Sequence, residues 1–345
     1  MSAMPLVLSS FGLVTGVGLN APSTCAAIRC AIDAFDETRF MDAGGEWIMG
    51  CEVPLEQPWR GKTKLIKMAA MALRETLEQS PDSDPKQTPL MLCLAESERA
   101  GRVIDDDNGF FFDLCAELGV EFHAKSRVIP QGHVSIGAAL MQARKLIADD
   151  VARQVLIAAT DSLLVAPTLA AYEEKDRLLT SENSDGFIPG EAGAAMLVQA
   201  TRLEAGPELV CTGVGAGEEM ATVDSEEPLR ADGLVAAFCA ALREAGCSMG
   251  DMDYRITDVA GEQYHFKEAT LALSRTLRAR KDEFDIWHPA DCIGDVGAAA
   301  GVIGFAVGAY AADKDYAKGR AVLFHLGNDD GKRVAITTTS SASVG

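Results

Sequence analysis

The chain has 345 residues, with 31 Lys and Arg against 51 Asp and Glu, so its net charge is −20 and its pI about 4.6. That balance argues against a nucleic-acid partner or an anionic membrane surface, because both are held by an excess of basic side chains. A composition of 48% hydrophobic and 24% charged residues is that of a globular protein, and a chain this long buries a large core without staples, which sets disorder and fibrous repeats aside. Length alone suggests two domains or one large α/β unit.

The first 19 residues are apolar, with no basic residue before Arg29 and with glycines at 12, 16 and 18. A leader peptide starts with charge, so a strand and turn are expected instead, with a strand over Leu6–Thr15. Helical spacing follows at Leu65–Glu78, then the turn-rich connection Ser80–Pro89, then an apolar strand at Leu90–Ala95. Asp105–Gly109 (DDDNG) reads as a loop, and its glycine comes one place too early for a calcium loop. A helix over Val134–Ala148 and a strand over Gln154–Ala159 complete a first unit.

Glu204–Pro207 (EAGP) divides the chain into 1–203 and 204–345. The second part repeats the order: strand Leu209–Gly215, helix Gly233–Ala245, strand Tyr254–Val259, helix Val296–Ala312, strand Ala321–Leu326. Ser9–Gly16 (SSFGLVTG) parallels Cys211–Gly217 (CTGVGAG), and Lys67–Glu75 (KMAAMALRE) parallels Ala236–Glu244 (AAFCAALRE). His133–Ala139 (HVSIGAA) parallels Asp295–Gly301 (DVGAAAG). The chain therefore reads as a two-fold internal repeat of one β/α unit.

Val296–Ala312 is the longest apolar stretch, shorter than the roughly 20 residues of a membrane span, so a helix buried on all sides is expected. Gly297, Gly301, Gly304 and Gly308 give it a smooth face. This helix and the one opening at His133 are expected side by side at the centre, with sheets on both sides and both N-termini facing one pocket. Free N–H groups at those termini suit an anion or a developing oxyanion. The nine cysteines follow no paired framework and lack a CxxC, which fits free thiols in a reducing, cytoplasmic setting.

Asp185–Ala195 (DGFIPGEAGAA), preceded by Arg177–Thr180 (RLLT), resembles the DGFxxGEGxG element of the β-ketoacyl synthases of the thiolase superfamily. Ser135–Ser162 resembles their nucleophile helix and following strand, and Gly294–Gly301 (GDVGAAAG) resembles their GHLLGAAG. The resemblance covers nearly the whole chain. It implies an α/β fold, the five-layered αβαβα thiolase sandwich of two pseudo-two-fold related halves. It also implies acyl transfer to a cysteine at the N-terminus of the nucleophile helix, then decarboxylative condensation assisted by two histidines.

None of that reacting set is present. His133 stands at the motif position of the cysteine, Gly261 at the place of the first histidine and Asp295 at that of the second. The lysine several residues upstream has no counterpart near Ala290, and the glycine-rich C-terminal loop is Gly327-Asn328-Asp329-Asp330-Gly331. Loss of one member of a catalytic set costs on the order of 10³–10⁶ in rate, so an intact catalytic site is not expected.

A rebuilt pocket would draw on His133, Asp295, Cys292, His265 and His325. His133 and Asp295 fall at equivalent places of the repeat and could face each other, either as an acid/base pair or as a hydrogen-bonded pair filling vacated space. The expectation is the second. Cys292, four residues after His288, could form a dyad or be a core thiol, and lone histidines are usually structural. No metal-ligand spacing is present and no cofactor is implied. The basic runs Arg60–Lys67 (RGKTKLIK) and Arg275–Lys281 (RTLRARK) could dock an acidic acyl carrier protein, but read first as solvated helix faces.

The resemblance implies a dimer, either a homodimer or a heterodimer with a related ketosynthase-like subunit, as in the chain-length-factor subunits of polyketide synthases. Val17–Arg29 also resembles compact ketosynthase-like proteins encoded among type VI secretion effector genes in proteobacteria. That implies a scaffold or adaptor role in effector loading. The alternatives are an acyltransferase or hydrolase with a rebuilt site, or a non-reactive acyl-binding protein. No nucleic acid or membrane is expected as partner.

Overall fold

The computed structural model describes residues 4–200 and 206–340. The order of elements begins with β1 (Leu6–Val14), α1 (Ala21–Arg29), β2 (Asp36–Met41), β3 (Trp47–Gly50), α2 (Gly61–Glu78) and β4 (Leu90–Leu94). Then come α3 (Asp107–Leu118), β5 (Arg127–Pro130), α4 (Ser135–Ala148), β6 (Gln154–Ser162), α5 (Ala166–Glu173) and β7 (Glu191–Gln199). Beyond the undescribed residues lie β8 (Leu209–Glu218), α6 (Asp232–Ala245), β9 (Tyr254–Thr257), α7 (Gln263–Thr276) and β10 (Ile286–Trp287). The chain closes with α8 (Ala290–Ile293), α9 (Ala300–Asp313), β11 (Ala321–Gly327) and β12 (Lys332–Thr339).

Two runs of five strands join into one sheet of order β10-β9-β11-β12-β8-β1-β7-β6-β4-β5. The seam is antiparallel pairing of Leu6, Val7 and Leu8 on β1 with Cys211, Val210 and Leu209 on β8. Each flank has the same internal logic. β5, β4 and β6 are parallel, as are β10, β9 and β11, while β7 and β1 on one flank and β12 and β8 on the other pair antiparallel towards the seam. Helices α2 and α3 cover the outer face of one flank and α6 and α7 that of the other, while α4 and α9 lie between the flanks. The result is the five-layered αβαβα sandwich. The boundary expected at 203/204 lies outside the described residues.

The repeat is visible in matched contacts. Gly12 on β1 faces Ala72 of α2, where an added Cβ would lie 2.0 Å from the carbonyl oxygen, and Gly213 on β8 faces Ala241 of α6 at 2.2 Å. One turn further along each helix, Glu75 accepts the Leu13 amide at 2.9 Å and Glu244 accepts the Val214 amide at 2.5 Å. The offset is the same each time, so the aligned segments KMAAMALRE and AAFCAALRE do the same work. A strand glycine lets the helix approach, and a glutamate then ties helix to strand.

Both central helices start later than their apolar pattern suggests. A tight 3-10 turn precedes each, Gly132–Val134 before α4 and Gly297–Ala299 before α9. Each turn opens on a glycine at positive φ, +58° at Gly132 and +53° at Gly297. That match makes Gly132, not Ser135, the counterpart of Gly297. The alignment of His133 with Asp295 is therefore out of step by a few residues, because sequence similarity between Ala-rich segments does not fix register.

The glycines of α9 also divide their labour differently from expectation. Only Gly301 meets α4, its added Cβ lying 2.7 Å from Ile136, whereas Gly304 and Gly308 lie under Ile256 and Phe324 of β9 and β11. The segment DDDNG is not a loop but a helix start: Asp106 caps α3 by accepting the Asn108 amide at 3.0 Å. Helix α2 begins at Gly61, one turn before its apolar face, because its first turn is polar and exposed towards Asp113. No helix among the described residues is long and apolar enough to cross a membrane.

Gly12→Ala and Gly213→Ala should each destabilise the fold by about 1–3 kcal/mol or more, since the new methyl meets backbone rather than a side chain that can move. Equilibrium denaturation of the two variants checks this, and two near-neutral results would contradict the shared helix-to-strand approach.

Candidate functional site

The cleft lies where the parallel strands of both flanks end. Glu96 follows β4, Asp161 closes β6, Asp258 follows β9, and Asn328 and Asp329 follow β11. Chain ends of parallel strands gather at one side of such a sheet, so these polar groups converge on the N-termini of α4 and α9.

Two contacts cross between the flanks. Asp161, on the first flank, accepts the Ala298 amide at 3.0 Å in the turn that opens α9. Asn328, on the second flank, accepts the Val134 amide at 3.3 Å and donates to the Gln131 carbonyl at 2.8 Å in the turn that opens α4. Each flank thus satisfies the free N–H groups of the other flank's helix, the groups a ligand anion would otherwise use. Arg99 grips Asp161 in a fork at 2.8 and 2.5 Å, a bidentate charge-assisted pair.

Between the helix mouths, His133 Nε2 lies 2.8 Å from Asp295 Oδ1. Asp295 also accepts the Gly297 amide at 2.9 Å. Burial disfavours charge on both, but each supplies the other's counter-ion. The His133 pKa is pushed up to about 10 by the Asp295 carboxylate against the opposing effect of burial, and the Asp295 carboxyl is held down to about 2 by the His133 imidazolium and the Gly297 amide.

The rest of the lining is ion-paired too. Arg177 forks onto Glu262 at 2.7 and 2.8 Å and reaches Asp329 at 2.7 Å, and Tyr172 donates to Asp329 at 3.2 Å. Burial raises the carboxyls of Glu96, Asp258 and Glu262. The space left among these side chains is about 30 Å³, enough for a water molecule but not for an acyl chain. A larger hollow of about 450 Å³ opens just outside, between Ser97–Ala100, Pro130, Thr168–Tyr172 and Lys332. Glu96, Arg99, Tyr172 and Asp329 form the wall between the two.

The sequence-derived residues separate into two groups. His133, Asp295 and His265 line the cleft, and the segment Asp258–Glu262 around Gly261 forms one of its sides. Burial lowers the His265 pKa to about 4, so its imidazole is neutral beside Glu262. Gly261 has φ +124°, and a Cβ there would lie 2.6 Å from the Gly186 carbonyl oxygen, so the local backbone leaves no room for an imidazole. Cys292 and His325 are not part of the cleft lining. Cys292 sits in α8 with its thiol raised by burial, and His325 is buried on β11, 3.2 Å from Thr257 Oγ1 and edge-on to Phe238. No cysteine lines the cleft or the outer hollow among the described residues.

The segments that carry the family resemblance are structural here. Glu191 is buried at the start of β7, accepting from the Val53 amide at 2.9 Å and the Ser162 hydroxyl at 2.9 Å and pairing with Lys64. Asp185 accepts the Gln263 amide at 2.7 Å. The basic runs are mostly engaged locally: Lys62 with Asp113, Lys67 with Glu117, Arg275 with Asp232.

Comparison with protein-family models finds no match, and neither does comparison with curated proteins. Solved structures do match. A chain of the ketosynthase–chain length factor complex from Xenorhabdus doucetiae is 13% identical with a TM-score of 0.77, covering 98% of both chains. The ishigamide ketosynthase/chain length factor is 15% identical with a TM-score of 0.78, covering 99% of this chain and 100% of that one. A β-ketoacyl synthase from Burkholderia phymatum is 13% identical with a TM-score of 0.74, at 99% and 100% coverage. The chain has the thiolase-like ketosynthase fold. The thiolase-like layers expected from the repeat and the resemblance are thus present, at identities that speak for the fold alone.

Removing one partner of the central pair strands the other as a buried charge. His133→Leu and Asp295→Leu should each cost about 3–5 kcal/mol, while the double Leu variant should lie near the wild type. The pH dependence has a definite sign. The raised His133 pKa gives stability that is complete below about pH 6.5 and is lost as pH rises through 10. The lowered Asp295 pKa gives stability that is complete above about pH 3.8 and is lost as pH falls through 2. Urea denaturation should therefore show the wild type at its most stable relative to the double variant between about pH 4 and 6.5, and falling relative to it as pH rises towards 10, while the double variant lacks this pH dependence.

Proposed function

We propose that this chain is a ketosynthase-like subunit that acts by binding rather than by condensation. The observation that carries the reading is the His133–Asp295 pair, 2.8 Å apart, occupying the space between the helix mouths with no thiol in the surrounding lining. An acyl-transfer site needs a nucleophile that can be freed and room for the acyl group. Here the positions are occupied by charges that satisfy one another.

The experiment is intact-mass measurement after incubation with acetyl and malonyl thioesters of coenzyme A and of an acyl carrier protein. The expected result is no stable acyl adduct and no decarboxylation. A stable adduct that maps to Cys292, or decarboxylation lost in His133→Ala, would sink the proposal in favour of an acyltransferase or hydrolase with a rebuilt site.

The binding partner proposed is a second copy or a related ketosynthase-like chain, added along β5. This strand ends the sheet and pairs with β4 alone, leaving its other edge open between α3 and α4. Exposed Met141 on α4 and Phe112 on α3 give the two flanking helices apolar surface. An open edge of this kind is a template for pairing with another strand. The solved ketosynthase–chain length factor pairs named above are assemblies of related chains, and this chain takes the same arrangement in the proposal. The two halves, 1–203 and 204–345, act as one unit in it. The cargo is a secreted effector in the adaptor reading, while an acyl carrier protein at the outer hollow of about 450 Å³ is the acyl-binding counterpart.

Light scattering on the purified chain, alone and mixed with a ketosynthase-like chain from the same source, tests the interface. Val128→Lys with Met141→Glu should convert the dimer to a folded monomer. A wild-type chain that stays monomeric in both settings, or a dimer untouched by these charges, would remove β5 from the proposal.

A further inference from the structure

Helix α7 (Gln263–Thr276) covers the outer face of the second flank. Two of the cleft's side chains belong to its beginning. Glu262 is its N-cap residue, bound to Arg177, and His265 lies in its first turn. Whatever moves α7 therefore moves one side of the cleft.

The first observation is what this helix buries. Its buried residues are Glu268, Ala269 and Ala272, none of them a large apolar side chain. The other covering helices differ: α2 buries Leu65, Met68 and Leu73, α3 buries Phe110 and Leu114, and α6 buries Leu234, Phe238 and Leu242. The leucines on and just after α7, Leu271, Leu273 and Leu277, are only partly covered. Little apolar area fastens it, and its firmest ties are polar. Arg177 holds Glu262 at 2.7 Å, Arg333 holds Glu268 at 2.9 Å, and the Tyr264 hydroxyl donates to the Ala221 carbonyl at 2.5 Å.

The second observation is what lies beneath it. Arg255 on β9 is 6% exposed, its Nη1 donates only to the Ala269 carbonyl at 3.4 Å, and its Nε has no hydrogen-bond partner. Two other arginines are as deeply buried, Arg177 and Arg333, and both are held by carboxylates. Among the described residues every other arginine without a carboxylate is exposed to solvent, where it costs nothing. Burial alone draws the Arg255 pKa down to about 10. The Phe284 ring, 5.2 Å away in the connection 277–285, covers the guanidinium without neutralising it. Lifting α7 and this connection would hydrate the charge, so the closed form carries a penalty that the open form escapes.

A helix with little apolar anchorage, resting on an unpaired buried charge, belongs to the least stable part of a fold. We infer that α7 with the connection 277–285 is a lid. It opens as a unit ahead of the rest of the fold, hydrating Arg255 and drawing Glu262 and His265 away from the cleft. The inference is independent of the binding role proposed above, since the same lid would serve a catalyst equally well.

Amide hydrogen exchange of the full chain, read by peptide mass spectrometry, tests it. Residues 263–276 should exchange at least about tenfold faster than residues 61–78 of α2. Arg255→Met, similar in length but uncharged, should slow 263–276 by at least about tenfold and leave 61–78 unchanged, whereas Arg255→Lys, which keeps the charge, should not slow it. Glu262→Gln weakens the tie at the cleft end and should speed 263–276 by at least about fivefold. An α7 as protected as α2, no slowing in Arg255→Met, equal slowing in Arg255→Lys, or no response to Glu262→Gln would each overturn the inference.

Discussion

The architecture depends on a crossed satisfaction of helix ends. Two helices whose N-termini open into a common interior each leave backbone donors that must find acceptors. Asp161 supplies one for α9 and Asn328 supplies one for α4, each from the opposite flank of the sheet. Neither flank can therefore complete its central helix alone. The glycines that open the two turns, at positive φ, set the donors at the angle where those acceptors wait. The seam between β1 and β8 holds the flanks at the spacing this exchange requires.

With one donor at each mouth held by the opposite flank, further charged side chains pack around the same interior. Arg99 holds Asp161 in place, and Arg177 binds Glu262 and Asp329 together. His133 and Asp295 occupy the middle. Buried ion pairs of this sort rarely add much net stability over apolar side chains of the same size, because desolvation offsets attraction. Their effect is positional: each partner holds the next in place around a space of about 30 Å³.

Much of the fold was legible in the sequence because it rests on repeated local rules. The aligned segments ending in Glu75 and Glu244 announced a matching helix in each half, and the apolar run from Val296 announced a buried helix. The buried strand β7 and the closing strand β12 were not separated out, since Gly and Ala in the former and threonines in the latter give weak strand signals. Of the site, His133, Asp295 and His265 were legible as substitutions within motifs. Glu96, Arg99, Asp161, Tyr172 and Asp329 were not. One signal could have found Glu96, Asp161 and Asp329: five of the six parallel strands run into an acid or an amide within two residues of their ends. Cys292 and His325 looked eligible by spacing along the chain, but α8 and β11 carry them to other surroundings, which spacing cannot show.

The tight bend at Gly261 limits which single substitutions this interior tolerates. A thiol at 133 would leave Asp295 as a buried, unmatched charge, and an imidazole at 261 would drive its Cβ into the Gly186 carbonyl. Each of those changes, made alone, lowers the stability of the folded chain, so a side chain at either position can be exchanged only together with its neighbours.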